Sequence, residues 1–268
     1  MPRISAKFAE LRKSRQSALV AYVMAGFPSN KATRAAVSGM VRGGADIIEL
    51  GFPFSDPLAD GPVIQNASRY SLQKGENTRR FFEMVRKIRR ETDIPLVLMT
   101  YSNILHRMGY SRFISEAADA GIDGFILPDM PVEEAAEYKR AARGRAETIF
   151  LTSPNTSKSR IKSIAGASGG FLYLVAVYGT TGAKTGIKEY TIRAIKDVKR
   201  QTSMPVGVGF GVSAPADVRR YVRAGADAVI VGSAYMRIIE EAPHERIESR
   251  IASFTRSLKK ETIHAGSS

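Results

Sequence analysis

Three groups of residues in this chain have types and spacings suited to chemistry. The first is Glu49, inside the run Ile47-Ile48-Glu49-Leu50-Gly51. In an extended strand, alternation puts Ile47, Glu49 and Gly51 on one face and Ile48 and Leu50 on the other. A strand this apolar suits a parallel sheet covered on both faces, so the carboxyl is withdrawn from bulk water. Desolvation raises its pKa and makes it a proton donor or acceptor near neutral pH. The alternative is a carboxylate paired with a buried Lys or Arg. The second group is Asp56 and Asp60, in the segment FPFSDPLADGP over 52–62. Asp56 before a proline suits a turn and Asp60 suits a cap for a helix starting near Pro62, so local physics leaves structural and catalytic roles open. The third is a set of glycine-bearing segments, 179–182, Gly211 and Gly232-Ser233. Glycine lets backbone N–H groups approach an anion, and a short helix over 234–240 adds the amides of its first turn. Occurring together late in the chain, these segments favour a phosphate over a purely turn-forming role.

Other chemistries lack their residues. The chain has no cysteine, which removes disulfides, thiolate metal sites and a cysteine nucleophile. His106, His244 and His264 are its three histidines, and none stands at helical spacing to another, so no metal site is expected. The 207–211 stretch, GVGFG, has the wrong spacing for a dinucleotide fingerprint, and 179–185, GTTGAKT, has Ala183 where a phosphate-binding P-loop needs glycine before its lysine. The net charge of +14 attracts phosphorylated substrates and acidic partners. Arg79, Arg80, Arg86, Lys87, Arg89 and Arg90 spread through a helical pattern without interleaved aromatics, so nucleic acid is not the expected partner. Basic residues before 18–26 mimic a signal peptide, but the apolar run is short and lacks a small-x-small cleavage site. No run approaches the roughly 20 apolar residues of a membrane span. A cytoplasmic location is the expectation.

The elements that must position these groups follow from the pattern. Short apolar runs at 18–26, 45–51, 95–101, 124–128, 148–152, 171–177, 205–210 and 228–232 alternate with segments of helical periodicity. That alternation reads as βα units around a parallel sheet. Three junctions resemble one another: Gly44-Ala45-Asp46, Gly121-Ile122-Asp123 and Gly225-Ala226-Asp227, each a left-handed helix end before a strand. Pro95 and Pro205 open two further strands, where a missing amide donor is tolerated. Eight right-handed βα units close into an α/β fold of the (β/α)8 TIM-barrel type, with a doubly wound open sheet as the alternative. The expectation is a single domain over 1–268 with a frayed tail from about 262. Residues 4–14 predict an extra N-terminal helix that plugs the barrel bottom, and short extra helices are expected after strands 2 and 8. Strand 2 is followed by the longest interval: 50 residues separate Ala45 from Pro95, against 27 from Ala18 to Ala45. Barrels place function in such loops.

The uninterrupted stretch 48–62, IELGFPFSDPLADGP, resembles the signature of tryptophan synthase alpha subunits. The likeness extends through Gly26-Phe27-Pro28, Tyr101-Ser102-Asn103, Pro128-Asp129-Met130-Pro131, Thr181-Gly182, Gly209-Phe210-Gly211 and Gly232-Ser233. The resemblance implies a lyase that cleaves indole-3-glycerol phosphate to indole and glyceraldehyde 3-phosphate by a retro-aldol route, with Glu49 and Asp60 as catalytic carboxylates. It implies that Glu49 shuttles protons between the indole C3 carbon and the glycerol hydroxyl while Asp60 supports charge at the indole nitrogen. It places Tyr22, Met99, Leu151, Tyr173 and Phe210 around the indole, and Gly182, Gly211, Gly232 and Ser233 on the phosphate. Thr181 resembles a loop threonine that closes over substrate onto Asp60. It further implies a beta subunit carrying pyridoxal phosphate in an alpha2-beta2 complex, no cofactor in this chain, and Pro53, Asp56, Asn103 and Asp129 at or near the partner interface. Two departures stand out. Tyr22 takes the place of a usual phenylalanine, and Tyr178-Gly179-Thr180 differs from the common form. Another phosphosugar barrel, or a noncatalytic activating subunit, are the competing readings.

Overall fold

Parallel strands cannot be joined by tight turns, and this chain supplies helices as crossovers. In a computed structural model the described residues are 1–175, 184–209 and 211–264, with the backbone alone described for 184–188. Nine strand segments are present among them: β1 (Ala18–Met24), β2 (Ile47–Gly51), β3 (Leu96–Met99), β4 (Gly124–Ile126), β5 (Glu147–Ile149), β6 (Leu151–Thr152), β7 (Leu172–Val175), β8 (Val206–Gly209) and β9 (Ala228–Val231). The helices are α1 (Arg3–Lys13), α2 (Asn30–Gly43), α3 (Pro62–Gln73), α4 (Thr78–Glu91), α5 (Ser102–Met108), α6 (Tyr110–Ala120), α7 (Ala136–Ala142), α8 (Lys158–Ala167), α9 (Lys184–Lys199), α10 (Pro215–Arg223), α11 (Ser233–Glu241) and α12 (Ile247–Lys259).

The strand order is β5-β4-β3-β2-β1-β9-β8-β7-β6, and every pairing is parallel. Only Phe150 separates β5 from β6, and its carbonyl accepts from the Tyr173 amide at 3.0 Å. The two ends of the order are therefore one stretch of chain, and the sheet closes on itself. The eight expected strands become eight staves, the fifth of them split, and the open-sheet alternative is excluded.

The extra helices stand where the intervals are long. α3 follows β2, with Pro62 as its first residue and Gly61 ahead of it, and at 12 residues it is a full-sized helix. α11 follows β9. An extra helix after β3, α5, was not anticipated from the pattern; Gly109 at φ +88° divides what reads as one helical segment. α1 closes the barrel bottom as expected. Its buried Ile4 sits where a side chain at Gly124 or Gly170 would stand, and Phe8 packs on Phe171 with ring centroids 5.6 Å apart.

The three repeated junctions turn out to share a device. Each aspartate takes both hydrogen-bonding groups of one residue in the neighbouring strand. Asp46, Asp123 and Asp227 donate their amides to the carbonyls of Leu19, Leu96 and Val206, at 3.0, 2.8 and 2.9 Å. Their carboxylates accept the amides of those same residues at 2.7, 2.8 and 2.8 Å. A cation then neutralises each: Lys259, Arg89 and Lys199 at 2.6, 2.7 and 2.6 Å. Gly44, Gly121 and Gly225 all have positive φ, so the helix ends turn left-handed just before these clamps.

At the other end of the chain, the Ser17 amide donates to the Thr262 carbonyl, Thr262 is fully buried, and Gln16 bridges Ile263. The chain is held through that point, where composition alone puts the start of the frayed tail. Residues 265–268 lie outside the described set. Among the described residues no helix is long and apolar enough to cross a membrane.

Candidate active site

Register brings Tyr22 of β1, Glu49 of β2 and Val97 of β3 level across the barrel wall. Because side chains alternate, Met99 points inward two positions after Val97, and Tyr101 follows just past the strand end. Tyr173 enters from β7. Each inward tyrosine on β1 and β7 depends on a glycine in the adjacent strand. A Cβ at Gly51 would lie 2.2 Å from the Tyr22 hydroxyl, and one at Gly209 would lie 2.1 Å from the Tyr173 hydroxyl. The rings occupy the volume that any larger residue at 51 or 209 would take.

Above this layer is a cavity of about 170 Å³. Tyr22, Glu49, Met99 and Tyr173 form its floor-side lining, Asp60 and Gly61 come from the loop after β2, Pro62, Val63 and Ile64 from the start of α3, and Gly211, Gly232, Ser233 and Arg237 from the segments after β8 and β9. Ile230 and Val212 complete it. Glu49 and Asp60, 11 residues apart in a loop and strand, thus share one chamber with the glycine segments that sequence reading linked to phosphate.

The Glu49 carboxyl is 1% exposed, and its Oε2 is buried with no hydrogen-bond partner among the described residues. Among the described residues no Lys or Arg pairs with it, which speaks against a buried ion pair. Burial, with the Asp60 charge adding, pushes its pKa up to about 8. Asp60 is raised to about 6, again by burial, with the hydrogen bond from Tyr101 opposing the rise. Its side chain does not cap α3, whose first turn has no side-chain cap. Instead the Tyr101 hydroxyl donates to Asp60 Oδ2 at 3.3 Å and accepts from the Ala59 amide at 3.0 Å. The Tyr101 ring stacks on Phe54 with centroids 4.9 Å apart, and Gln65 Nε2 donates to the Asp60 carbonyl at 2.9 Å. The carboxylate thus accepts one hydrogen bond, from Tyr101, while the loop that carries it is fastened through the Ala59 amide and the Asp60 carbonyl. Tyr22 and Tyr173 are raised well above the ordinary phenol value, by burial first and by the two carboxylates second, so both hydroxyls stay protonated.

Of the other expected residues, Gly211, Gly232 and Ser233 line the cavity, and Ser233 opens α11 with no side-chain cap and no acidic residue in its first turn. The first-turn amides of a helix have no partner within it. Leu151 does not line the cavity; it is half-buried in β6, paired in register with Tyr173. Thr181, Gly182 and Phe210 lie outside the described residues. Pro53 and Asn103 line a separate groove that also carries Arg79, Arg86, Arg107 and Arg112. Asp56 is exposed, and exposed Asp129 accepts from the Ser102 amide at 2.9 Å and from the Ser102 hydroxyl at 2.7 Å.

The family model described as tryptophan synthase alpha chain matches residues 8–263. The chain belongs to the tryptophan synthase alpha chain family. The alpha chain of Methanosarcina barkeri is 48% identical over 250 residues, covering 92% of this chain and 94% of that one. That of Geotalea uraniireducens is 40% identical, covering 97% of each. Among solved structures, tryptophan synthase from M. tuberculosis in a ligand-free form matches with TM-score 0.88 and 31% identity over 98% of this chain and 100% of that one. The tryptophan synthase complex of Pyrococcus furiosus matches with TM-score 0.83 and 36% identity over 91% and 98%.

Sequence reading within this family missed two cavity features. Tyr101 was legible as part of a strand-end motif but not as the partner of Asp60, although its spacing of two from Met99 puts both on the inward face. Arg237 gave no signal at all, because only the position of α11 brings it to the cavity.

Proposed function

We propose that Glu49 and Asp60 divide the proton chemistry of indole-3-glycerol phosphate cleavage between them. As a tryptophan synthase alpha chain the protein is a lyase that releases indole and glyceraldehyde 3-phosphate, and it works with a beta subunit. The observation that carries the division of roles is the pair of raised but unequal pKa values in one cavity, about 8 for Glu49 and about 6 for Asp60. Near neutral pH the first is an acid and the second an anion.

Glu49 donates its proton to the indole C3 carbon, which leaves positive charge on the ring nitrogen. The Asp60 carboxylate faces that nitrogen and stabilises the charge. The Glu49 carboxylate then removes the proton of the glycerol hydroxyl. The hydroxyl oxygen forms the aldehyde carbonyl, the bond from C3 to the glycerol chain breaks, and its electron pair returns to the ring. Indole is neutral again and Glu49 is reprotonated, so one group opens and closes the cycle. Glu49 carries both proton transfers and Asp60 the developing charge, and we read the chain as needing no cofactor of its own, the pyridoxal phosphate belonging to the beta subunit. Tyr22, Met99 and Tyr173 enclose the indole, and the amides of Gly211, Gly232 and Ser233 hold the phosphate.

The test is indole release by the pure chain, with and without beta subunit, for the parent protein, Glu49→Gln and Asp60→Asn. Loss of release in both variants is expected. Unchanged release in both removes the assignment, and conversion of the substrate without indole points to a different phosphosugar enzyme.

A further inference from the structure

The cavity contains a cation that the reaction as described does not use. Arg237 lines it together with Gly211, Gly232 and Ser233. It makes no ion pair or hydrogen bond with any described residue. Its neighbours on the cavity wall include two carboxyl groups, Glu49 and Asp60, yet neither is its partner.

Position on the helix explains what it can reach. Ser233 is the first residue of the nine-residue α11, and Arg237 stands four residues later, on the same side and one turn up. Helical side chains lean toward the N-terminus and cover the turn before their own Cα. The Arg237 guanidinium therefore overhangs the turn whose amides begin at Ser233. That turn carries no acidic residue and no side-chain cap, so the helix itself does not neutralise its partial positive charge, and Arg237 adds a full positive charge to it. Two uncompensated positive features converging on a cavity fit a doubly charged anion. A planar guanidinium also matches a phosphate monoester geometrically, through paired N–H donors.

We propose that Arg237 binds the substrate's phosphate, supplying the neutralising charge that backbone amides alone lack and setting the preference for phosphorylated over unphosphorylated indole-glycerol. This rests on the phosphate position proposed above. The amides orient the group and Arg237 supplies most of the charge discrimination.

The experiment compares the parent chain with Arg237→Gln, Arg237→Lys and Ser233→Ala, using indole-3-glycerol phosphate and its unphosphorylated analogue, with inorganic phosphate as a competitive probe. Arg237→Gln is expected to raise KM for the phosphorylated substrate about tenfold or more. The inhibition constant of inorganic phosphate should weaken in parallel, while kcat/KM for the unphosphorylated analogue changes by less than about twofold. Arg237→Lys should recover part of the loss, since it restores charge without the paired donors. Because Arg237 is exposed, its replacement is not expected to disturb folding, and a denaturation curve confirms that. If Ser233→Ala weakens phosphate binding while Arg237→Gln leaves KM and inhibition within twofold, Arg237 takes no part and the proposal is overturned with the phosphate position intact. If neither substitution affects the phosphorylated substrate, Arg237 takes no part and the proposal is overturned; inorganic phosphate that fails to compete in the parent chain shows instead that the phosphate position itself is wrong. Equal losses on both substrates from Arg237→Gln also overturn it, because the residue would then act on something other than the phosphate.

Discussion

The two ends of the barrel treat the same chemical group in opposite ways. At the helix-to-strand junctions, Asp46, Asp123 and Asp227 each accept a backbone amide and meet a Lys or Arg at 2.6 to 2.7 Å. At the strand-to-helix end, Glu49 has an oxygen with no partner among the described residues, and the Asp60 carboxylate accepts a tyrosine hydroxyl at 3.3 Å. Neutralised carboxylates fasten strands; an unneutralised one is held ready to exchange a proton. The difference lies in satisfaction and not in burial, since Asp46 is 8% exposed and burial still raises its pKa despite Lys259. Stability and chemistry are thus placed at opposite ends of the same strands, as barrels in general arrange them.

The sharpest way to break this contrast is to remove the unpaired group. Glu49→Gln is expected to lower kcat by about a thousandfold, measured as indole release. The same change should stabilise the fold. In the folded chain Glu49 keeps its proton to about pH 8, against an ordinary value of 4.5, so the unfolded state binds fewer protons between those values and stability falls as pH rises through the window. Chemical denaturation should show Glu49→Gln more stable than the parent by roughly 1–3 kcal/mol near pH 8, with the gain vanishing below the ordinary glutamate value. No gain at pH 8 would show that Glu49 is solvated or paired in solution.

Asp60→Asn comes next, with a fall in kcat of about a hundredfold. It also tests the coupling within the cavity. The parent kcat/KM should form a bell, lost on the acid side as Asp60 is protonated near pH 6 and on the alkaline side as Glu49 ionises near pH 8. Without the Asp60 charge the alkaline limb should move to lower pH, because that charge contributes to raising Glu49, and the acid limb should disappear.

At the opposite end, Asp123→Ala leaves the Leu96 amide without its acceptor and the Arg89 guanidinium without its carboxylate, with backbone carbonyls as its remaining partners. The expected cost is roughly 2–3 kcal/mol in denaturant titration, with kcat per folded molecule unchanged. A large loss of kcat in this variant would mean that the two ends are not independent.

The smallest effect expected is that of Tyr101→Phe, a loss of about fivefold in kcat/KM. Removing its hydrogen bond, which lowers the Asp60 pKa, should move the acid limb to higher pH. An unshifted limb would show that Phe54 and Gln65 hold the loop without it.

Much of the fold was legible because barrel strands are covered on both faces, so their apolar runs stand out between helical segments. The three Gly-x-Asp junctions were visible as repeats, but their role as clamps was not. Each clamp needs a strand partner and a cation far away in sequence: Lys259 lies 213 residues from Asp46. The fifth strand was read as one and is divided at Phe150, and the break at Gly109 was not recognised, since local composition there continues a helical pattern. Within the site, Glu49 was legible because an acidic residue inside an apolar run costs free energy unless it is used. Asp60 was not distinguishable from a helix cap by local rules.

By itself the sequence determined the alternation of strand and helix, the parallel sheet and the acid within its second strand, because hydrophobic periodicity is a local property of the chain. Its long similarity to one family determined the reaction. Only the tertiary structure decided that Glu49 meets no counter-ion among the described residues, that Tyr101 holds Asp60, that Gly51 and Gly209 make room for Tyr22 and Tyr173, and that Arg237 reaches the cavity. Those outcomes depend on which side chains from distant segments meet when the sheet closes, and a carboxyl group's pKa is set by those neighbours.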